Sequence, residues 1–403
     1  SSAASDVYKR QIQGLDMKKT SVFENGLIWF GAGVSIAEIL TGTYYAPMGF
    51  KDGLLAILIG HLIGFTLLYF AGLIGARSQR SAMETTKLTF GSKGGMIFAV
   101  INFLQLVGWT AIMIYDASIS TSEIFTLSHS FWAILTGALI IVWLMIGLSD
   151  LGKVNTVSMG LLFILTLLLS RYIFTEDLGS FAPTSQAMSF GAAVELAIAM
   201  PLSWLPLISD YTSNAADGKK STLVSALVYS LISIWMYVIG MGGALVTGES
   251  SLAAIFKITK LGAFAVLIII LSTVTTTFMD AYSAGISFKS LKADSDEKKV
   301  GIIVTLIAII GAIIFPMDDI TGFLYFIGSV FAPMIAVQVV DYFIIKNEDY
   351  KADYNILNTT SWILGFIIYR IILNREFILG PTLVVIIITM LITIILNRAF
   401  RKK

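Results

Sequence analysis

Phe30-Gly31-Ala32-Gly33-Val34-Ser35, followed by Glu38, interrupts the first long apolar segment of the chain, and Met200-Pro201-Leu202-Ser203-Trp204-Leu205-Pro206 interrupts the sixth. Lipid cannot satisfy the backbone N–H and C=O groups freed at such breaks. A broken helix therefore persists in a bilayer only where protein or a cavity meets it. The two breaks occupy equivalent places in two five-span halves, the sequence signature of a secondary transporter's binding site. They point to an alternating-access carrier.

The 403 residues are 56% hydrophobic and 13% charged, with mean hydropathy +0.84. The apolar runs are about twenty residues long, the length that crosses the hydrocarbon core. Twelve spans are expected, at 22–46, 53–76, 95–119, 131–149, 153–174, 189–209, 222–247, 261–288, 300–316, 320–345, 359–373 and 377–397. The fold class is an all-α polytopic membrane protein with brief loops and no soluble domain. The chain has no cysteine, which excludes disulfides and thiolate metal sites. Histidine occurs only at 61 and 129, a poor basis for a metal centre, and the net charge of +1 gives no reason to expect a nucleic-acid partner. Ser1 to Asp16 is polar and lacks the apolar run of a secretory signal. Met17-Lys18-Lys19-Thr20 reads as a natural start, so residues 1–16 are expected to be a non-native leader.

Lys and Arg placement sets the orientation. With the N-terminus inside, the inner loops and ends receive 19 Lys and Arg and the outer loops 6, leaving out Lys9 and Arg10 of the leader. Both termini are therefore expected in the cytoplasm, with the protein in a bacterial inner membrane.

An ionisable side chain within a span is costly unless it faces a cavity or a partner. Glu38, just after the first break, and Asp280, within the eighth span, are the two candidates for ligand contact. The plainer alternative is a carboxylate paired for packing, and Asp116 lies closer to it. Asp210, Asp341 and Glu123 fall near span ends, as solvated or capping groups. A carboxylate accepts hydrogen bonds from an exocyclic amino group, or more strongly from a protonated ring nitrogen. Trp109 and Trp204 lie mid-span although indoles favour the membrane interface. Either alone reads equally as core, but beside Gln105, Ser203, Glu38 and Asp280 they read as walls for a flat aromatic ligand. Thr273, Thr275, Thr276 and Thr277 either bond back to their own helix or, with carbonyls near Gly33 and Ile36, offer hard oxygens to Na+. Pro47, Pro316, Pro333 and Pro381 are expected to end or kink spans, and Gly26, Gly42, Gly60 and Gly64 to permit close helix packing.

Several stretches resemble the nucleobase:cation symporter-1 family, and within it the hydroxymethylpyrimidine permease branch. They are Trp29 to Gly42, Gly60-His61-Leu62-Ile63-Gly64, Ala71 to Ala76, Val107-Gly108-Trp109, Ser203 to Tyr211 and Thr275 to Gly285. The resemblance implies a LeuT-like fold: a first five-helix repeat over 17–174, a second, inverted one over 189–345, and two extra helices with a tail over 359–403. It implies a mobile bundle of spans 1, 2, 6 and 7 against a scaffold of 3, 4, 8 and 9. It implies a base held between Trp109 and Trp204, and a sodium site at Gly33, Ile36, Thr275 and Thr276. Asp280 stands where the family often has an amide, and Glu38 where cytosine and hydantoin carriers are neutral. Both departures favour a basic aminopyrimidine.

The expected function is cation-coupled import of such a molecule, hydroxymethylpyrimidine first, with Na+ as coupling ion and H+ as the alternative. No cofactor is expected, and a monomer is compatible with the sequence. The rivals are a cytosine, purine or allantoin carrier, an intramembrane enzyme, and a channel. For the enzyme, which would use paired aspartates, Asp318-Asp319 is the only adjacent aspartate pair, and it lies in a short loop. For the channel, paired broken helices are unneeded.

Overall fold

The computed structural model describes residues 19–146, 152–175, 177–178, 181, 183–258, 263–346 and 352–400. The expected leader, 1–16, lies outside them. The described chain is helical, with one isolated β-bridge between Thr20 and Ala215.

The first span is two helices. α1 (Val22–Gly33) opens with a reciprocal cap, Ser21 and Glu24 each bonding the other's backbone N–H. It stops at Val34 and Ser35, whose backbones leave the helical region, and the extended Ser35 caps α2 (Ile36–Thr43) by accepting the Ala37 N–H. The span bends by 46° there. α3 (Phe50–Ser78) follows a short turn containing Pro47. α4 (Ala82–Phe90) is a helix inside a loop that the sequence reading treated as merely brief. Its first N–H is accepted by Asp210, which thus acts as a capping group at 2.8 Å. α5 (Ser92–Ile124), α6 (His129–Ile146) and α7 (Gly152–Ile173) complete the first half.

The sixth span is α8 (Phe190–Ser203) and α9 (Leu205–Thr212), interrupted at Trp204 alone. This break is milder than the first, and Phe190–Thr212 runs as one 23-residue span. Pro201 and Pro206 delete N–H groups, yet their fixed φ suits a helix, and Trp204 stays near helical dihedrals at φ −88° and ψ −8°. Then come α10 (Gly218–Thr247), the short loop helix α11 (Leu252–Ile258), α12 (Ala263–Leu291), α13 (Glu297–Ile314), α14 (Ile320–Val339), α15 (Ile356–Ile372) and α16 (Gly380–Phe400). Pro333 is held within α14, which runs on into a wider π-type turn over Val340–Ile345.

Among the described residues, eight spans, with α8 and α9 together as one, are long and apolar enough to cross a membrane, and the bent first span makes a ninth. α7 and α15 have shorter apolar stretches, and α13 begins with three charges in Glu297-Lys298-Lys299. With those three, the described helices match the twelve expected spans.

Packing separates two groups. α1, α2, α3, α8, α9 and α10 pack on one another, while α5, α6, α12 and α13 form a second set. Glycines allow the closest approaches in the first set. Gly60 and Gly64 of α3 face Ala197 and Pro201 of α8, and Gly42 of α2 meets the Tyr237 backbone of α10, leaving no room for a Cβ. α15 and α16 pack on each other and on α14, and α16 also touches α8.

Candidate functional site

The two breaks face α5 and α12 across a narrow cavity. Ala32, Ser35 and Glu38 line it from the first span, Trp109 and Met113 from α5, Met200, Ser203 and Trp204 from the sixth span, and Thr276 and Asp280 from α12. Its volume is about 20 Å³, roughly what one water needs. A six-membered ring enters only if this lining moves apart.

The two acidic residues differ sharply in their surroundings. Glu38 is 2% exposed and accepts hydrogen bonds from Tyr229 at 2.7 Å and Ser233 at 2.8 Å. Asp280 is 4% exposed and lines the same cavity, but it makes no hydrogen bond or ion pair with any described residue. Folding alone does not explain a buried carboxylate without a partner, because its desolvation goes uncompensated.

Trp109 and Trp204 share the cavity, each 6% exposed. Trp109 packs edge-on against Phe323 at 5.3 Å, and its indole N–H has no acceptor among the described residues. Trp204 belongs to an aromatic cluster, with Trp29 at 5.6 Å and Tyr229 at 6.0 Å in edge geometries. The two indoles are thus anchored on opposite helix groups. Ser203 donates to the Met200 carbonyl at 2.7 Å, in the last turn of α8 before the break at Trp204.

Gln105 does not line the cavity. Its amide donates to Asn102 at 2.7 Å, and Asn102 donates to the Pro206 carbonyl at 3.1 Å and to Ser287 at 2.8 Å. This buried chain ties α5, α9 and α12 together on the Lys-rich side of the cavity. Tyr211 adds a long contact to the Met279 carbonyl there. On the opposite side Tyr45 donates to the Ala193 carbonyl at 2.7 Å.

The expected sodium residues meet only in part. Thr276 donates to the Gly31 carbonyl at 3.1 Å, joining α12 to the end of α1. Thr275 bonds back to Leu271 and Ser272, each at 3.0 Å. The Gly33 carbonyl accepts from Ser35 N–H at 3.0 Å, and Ile36 is the first residue of α2, so its carbonyl points into that helix. Thr273 and Thr277 have buried hydroxyls without partners among the described residues.

Other acidic residues are placed as follows. One Asp116 oxygen is buried and unpaired, and the neighbouring Tyr115 donates to Asp318 at 3.0 Å. Asp341, expected near solvent, is buried and accepts from Asn358 at 2.9 Å. Exposed Glu123 accepts from Ser251 at 3.3 Å.

Sequence reasoning passed over three residues. Trp29 is fully buried behind Trp204 and carries an unpaired indole N–H. Tyr229 fixes Glu38. Glu195, an ionisable residue inside an apolar run, accepts from Tyr369 at 2.7 Å and from the Thr382 N–H at 2.9 Å and hydroxyl at 2.5 Å. The last had a visible signal, since a charge within a span calls for a partner. The other two are aromatic residues among many, with nothing in the sequence to set them apart.

The family model described as permease for cytosine/purines, uracil, thiamine, allantoin matches residues 16–395. The chain belongs to this permease family. It is a transporter, not an enzyme. Cytosine permease of Escherichia coli (strain K12) is 22% identical over 322 residues, covering 79% of this chain and 75% of the relative. Among solved structures, Mhp1, a nucleobase-cation-symport-1 family transporter closed with bromovinylhydantoin bound, superposes with TM-score 0.78 at 15% identity, over 95% of this chain and 93% of that one. A Na+-coupled sialic acid symporter in its substrate-bound outward-open state gives TM-score 0.68 at 15% identity, over 94% and 88%. The family member described here thus has the LeuT-like fold, and its eight or more apolar spans make it a multi-pass membrane protein.

Proposed function

We propose that this permease is a cation-coupled symporter importing an aminopyrimidine, with hydroxymethylpyrimidine the best match. The observation that carries this is Asp280, buried on the cavity wall with no protein partner. A carboxylate held ready in this way suits an amino group next to a basic ring nitrogen, which offers two charge-assisted donors. Trp109 and Trp204 flank the ring, Glu38 supplies a second acceptor, and Ser203 sits at the break that must flex. Gln105 acts from behind, through Asn102, on the closure beneath the ring.

The coupling ion is Na+, held between Thr275 and Thr276 of α12 and the carbonyls at the end of α1, including Gly33, once Thr275 turns from its own helix. The Thr276 link to Gly31 supports this, as it already joins the two helices that such an ion would bridge. The segments 17–174 and 189–345 act as inverted repeats, with 359–403 added outside them. The protein lies in the bacterial inner membrane with both termini cytoplasmic, as the Lys and Arg placement favours.

The test is uptake of labelled hydroxymethylpyrimidine into proteoliposomes under an imposed sodium gradient. Uptake that is driven by sodium and not displaced by excess cytosine supports the assignment. Uptake of cytosine alone would instead favour the second reading, a cytosine carrier, which the similarity to the E. coli permease keeps in view.

A further inference from the structure

Behind the cavity wall lies a buried chain of three side chains. Ser233 Oγ of α10 is 2.8 Å from Glu38 Oε2 of α2 and 2.6 Å from His61 Nε2 of α3. On its other side His61 Nδ1 is 2.9 Å from the Ile57 carbonyl. Ser233 and His61 are 0% exposed.

The hydrogens of this chain can be counted. A carbonyl only accepts, so Nδ1 carries a hydrogen. The serine hydroxyl has one hydrogen to share between two neighbours. If His61 is neutral, Nε2 takes the serine hydrogen, and the close approach of Glu38 then requires a hydrogen on the carboxyl. If Glu38 is ionised, it takes the serine hydrogen, and Nε2 must carry one instead. Both arrangements contain the same three hydrogens. Without the third, one contact sets lone pair against lone pair in a dry interior.

We propose that Glu38, Ser233 and His61 share this third hydrogen, and that a ligand N–H arriving at Glu38 drives it onto His61. The step balances: the carboxyl hydrogen passes to Ser233 Oγ as the serine hydrogen passes to His61 Nε2, and no proton enters or leaves. With no ligand the neutral pair is preferred, since separated charges are costly inside a bundle. With a donor ligand, Glu38 becomes a carboxylate acceptor whose counter-charge is already in place. His61 is thus a positioning residue for substrates that bear N–H groups.

No other cation is at hand, because every described Lys and Arg lies near a helix end or in a loop. The remaining ionisable groups around the chain are Tyr229, which donates to Glu38, Tyr237 with its ring edge-on to His61 at 4.9 Å, and Tyr45 beyond Tyr237 at 5.6 Å. Asp280 faces the chain across the cavity, and Glu195 of α8 is taken up by Tyr369 and Thr382.

The ligand-driven half of the proposal rests on the aminopyrimidine reading, while the shared hydrogen does not. The test is ¹⁵N-histidine NMR of the His129→Gln protein in nanodiscs, which leaves His61 as the only histidine, together with infrared spectra. Without ligand, a neutral His61 protonated at Nδ1 and a protonated-carboxyl band that vanishes in Glu38→Gln are expected. Saturating hydroxymethylpyrimidine should then shift Nε2 to its protonated position at unchanged pH. Ser233→Ala should abolish that shift. A neutral His61 beside an ionised Glu38, or an Nε2-protonated neutral ring, overturns the shared hydrogen. An imidazolium already present without ligand, or an Nε2 signal indifferent to ligand whose binding calorimetry confirms, overturns the switch. Absence of any binding overturns the substrate reading, and the ligand-free spectra still decide the shared hydrogen.

Discussion

Thr276 of α12 donates its hydroxyl hydrogen to the Gly31 carbonyl of α1 across 3.1 Å, a direct hydrogen bond between the broken first span and the eighth. It lies one helical turn from Asp280, so the proposed ion contact and the proposed ligand contact share one helix face. Thr276→Val keeps the shape and removes the oxygen. The sodium concentration for half-maximal uptake should rise about tenfold, matching the loss of a bond worth about 1.4 kcal/mol. A sodium titration of uptake checks this, and an unchanged titration would move the ion elsewhere.

Asp280→Asn should lower hydroxymethylpyrimidine uptake by about tenfold or more through loss of a charge-assisted acceptor. It should not lower thermal stability, because no protein donor loses a partner. Glu38→Gln should behave differently. The amide can still bond Tyr229 and Ser233, so the folded protein should persist while ligand affinity falls. Paired binding isotherms and melting curves of the two variants separate these outcomes.

Glu195→Ala leaves the Tyr369 hydroxyl and the Thr382 N–H without their acceptor, while the Thr382 hydroxyl keeps its 3.3 Å contact to Tyr369. At about 1 kcal/mol or more for each orphaned group, destabilisation of roughly 2 kcal/mol is expected. Glu195→Gln retains an oxygen and should cost less. Thermal-shift midpoints in detergent test the order wild type, Gln, Ala.

Gly42→Ala places a methyl against the Tyr237 backbone, a contact without flexible atoms that could yield. The cost should be about 1–3 kcal/mol. Gly160→Ala, where nothing lies within 4 Å, serves as the control and should be silent. Expression and melting of both variants give the comparison.

Much of the fold could be read directly from the chain. Twenty-residue apolar runs set the spans, and Gly-Ala-Gly-Val-Ser marked the 46° bend. The second interruption was visible from its prolines, but its depth was not, since the same residue supports anything from a kink to a gap. α4 and α11 were missed because short loop helices depend on tertiary caps, such as Asp210 on α4. In the site, Glu38, Trp109, Ser203, Trp204, Thr276 and Asp280 lie on one cavity. Gln105 turned aside because Asn102, one turn away, offers it a partner. Sequence position also could not distinguish the engaged Glu38 from the unengaged Asp280. That difference comes from Tyr229 and Ser233, which are remote in the chain.

The grip of Glu195 on Tyr369 and Thr382 moors the N-terminal half of the sixth span to the last two helices. Trp204 lies beyond that mooring, with Pro201 and Pro206 on either side of it. Any swing of the indole must therefore pivot at the prolines, and α15 and α16 serve as the keel against which it turns.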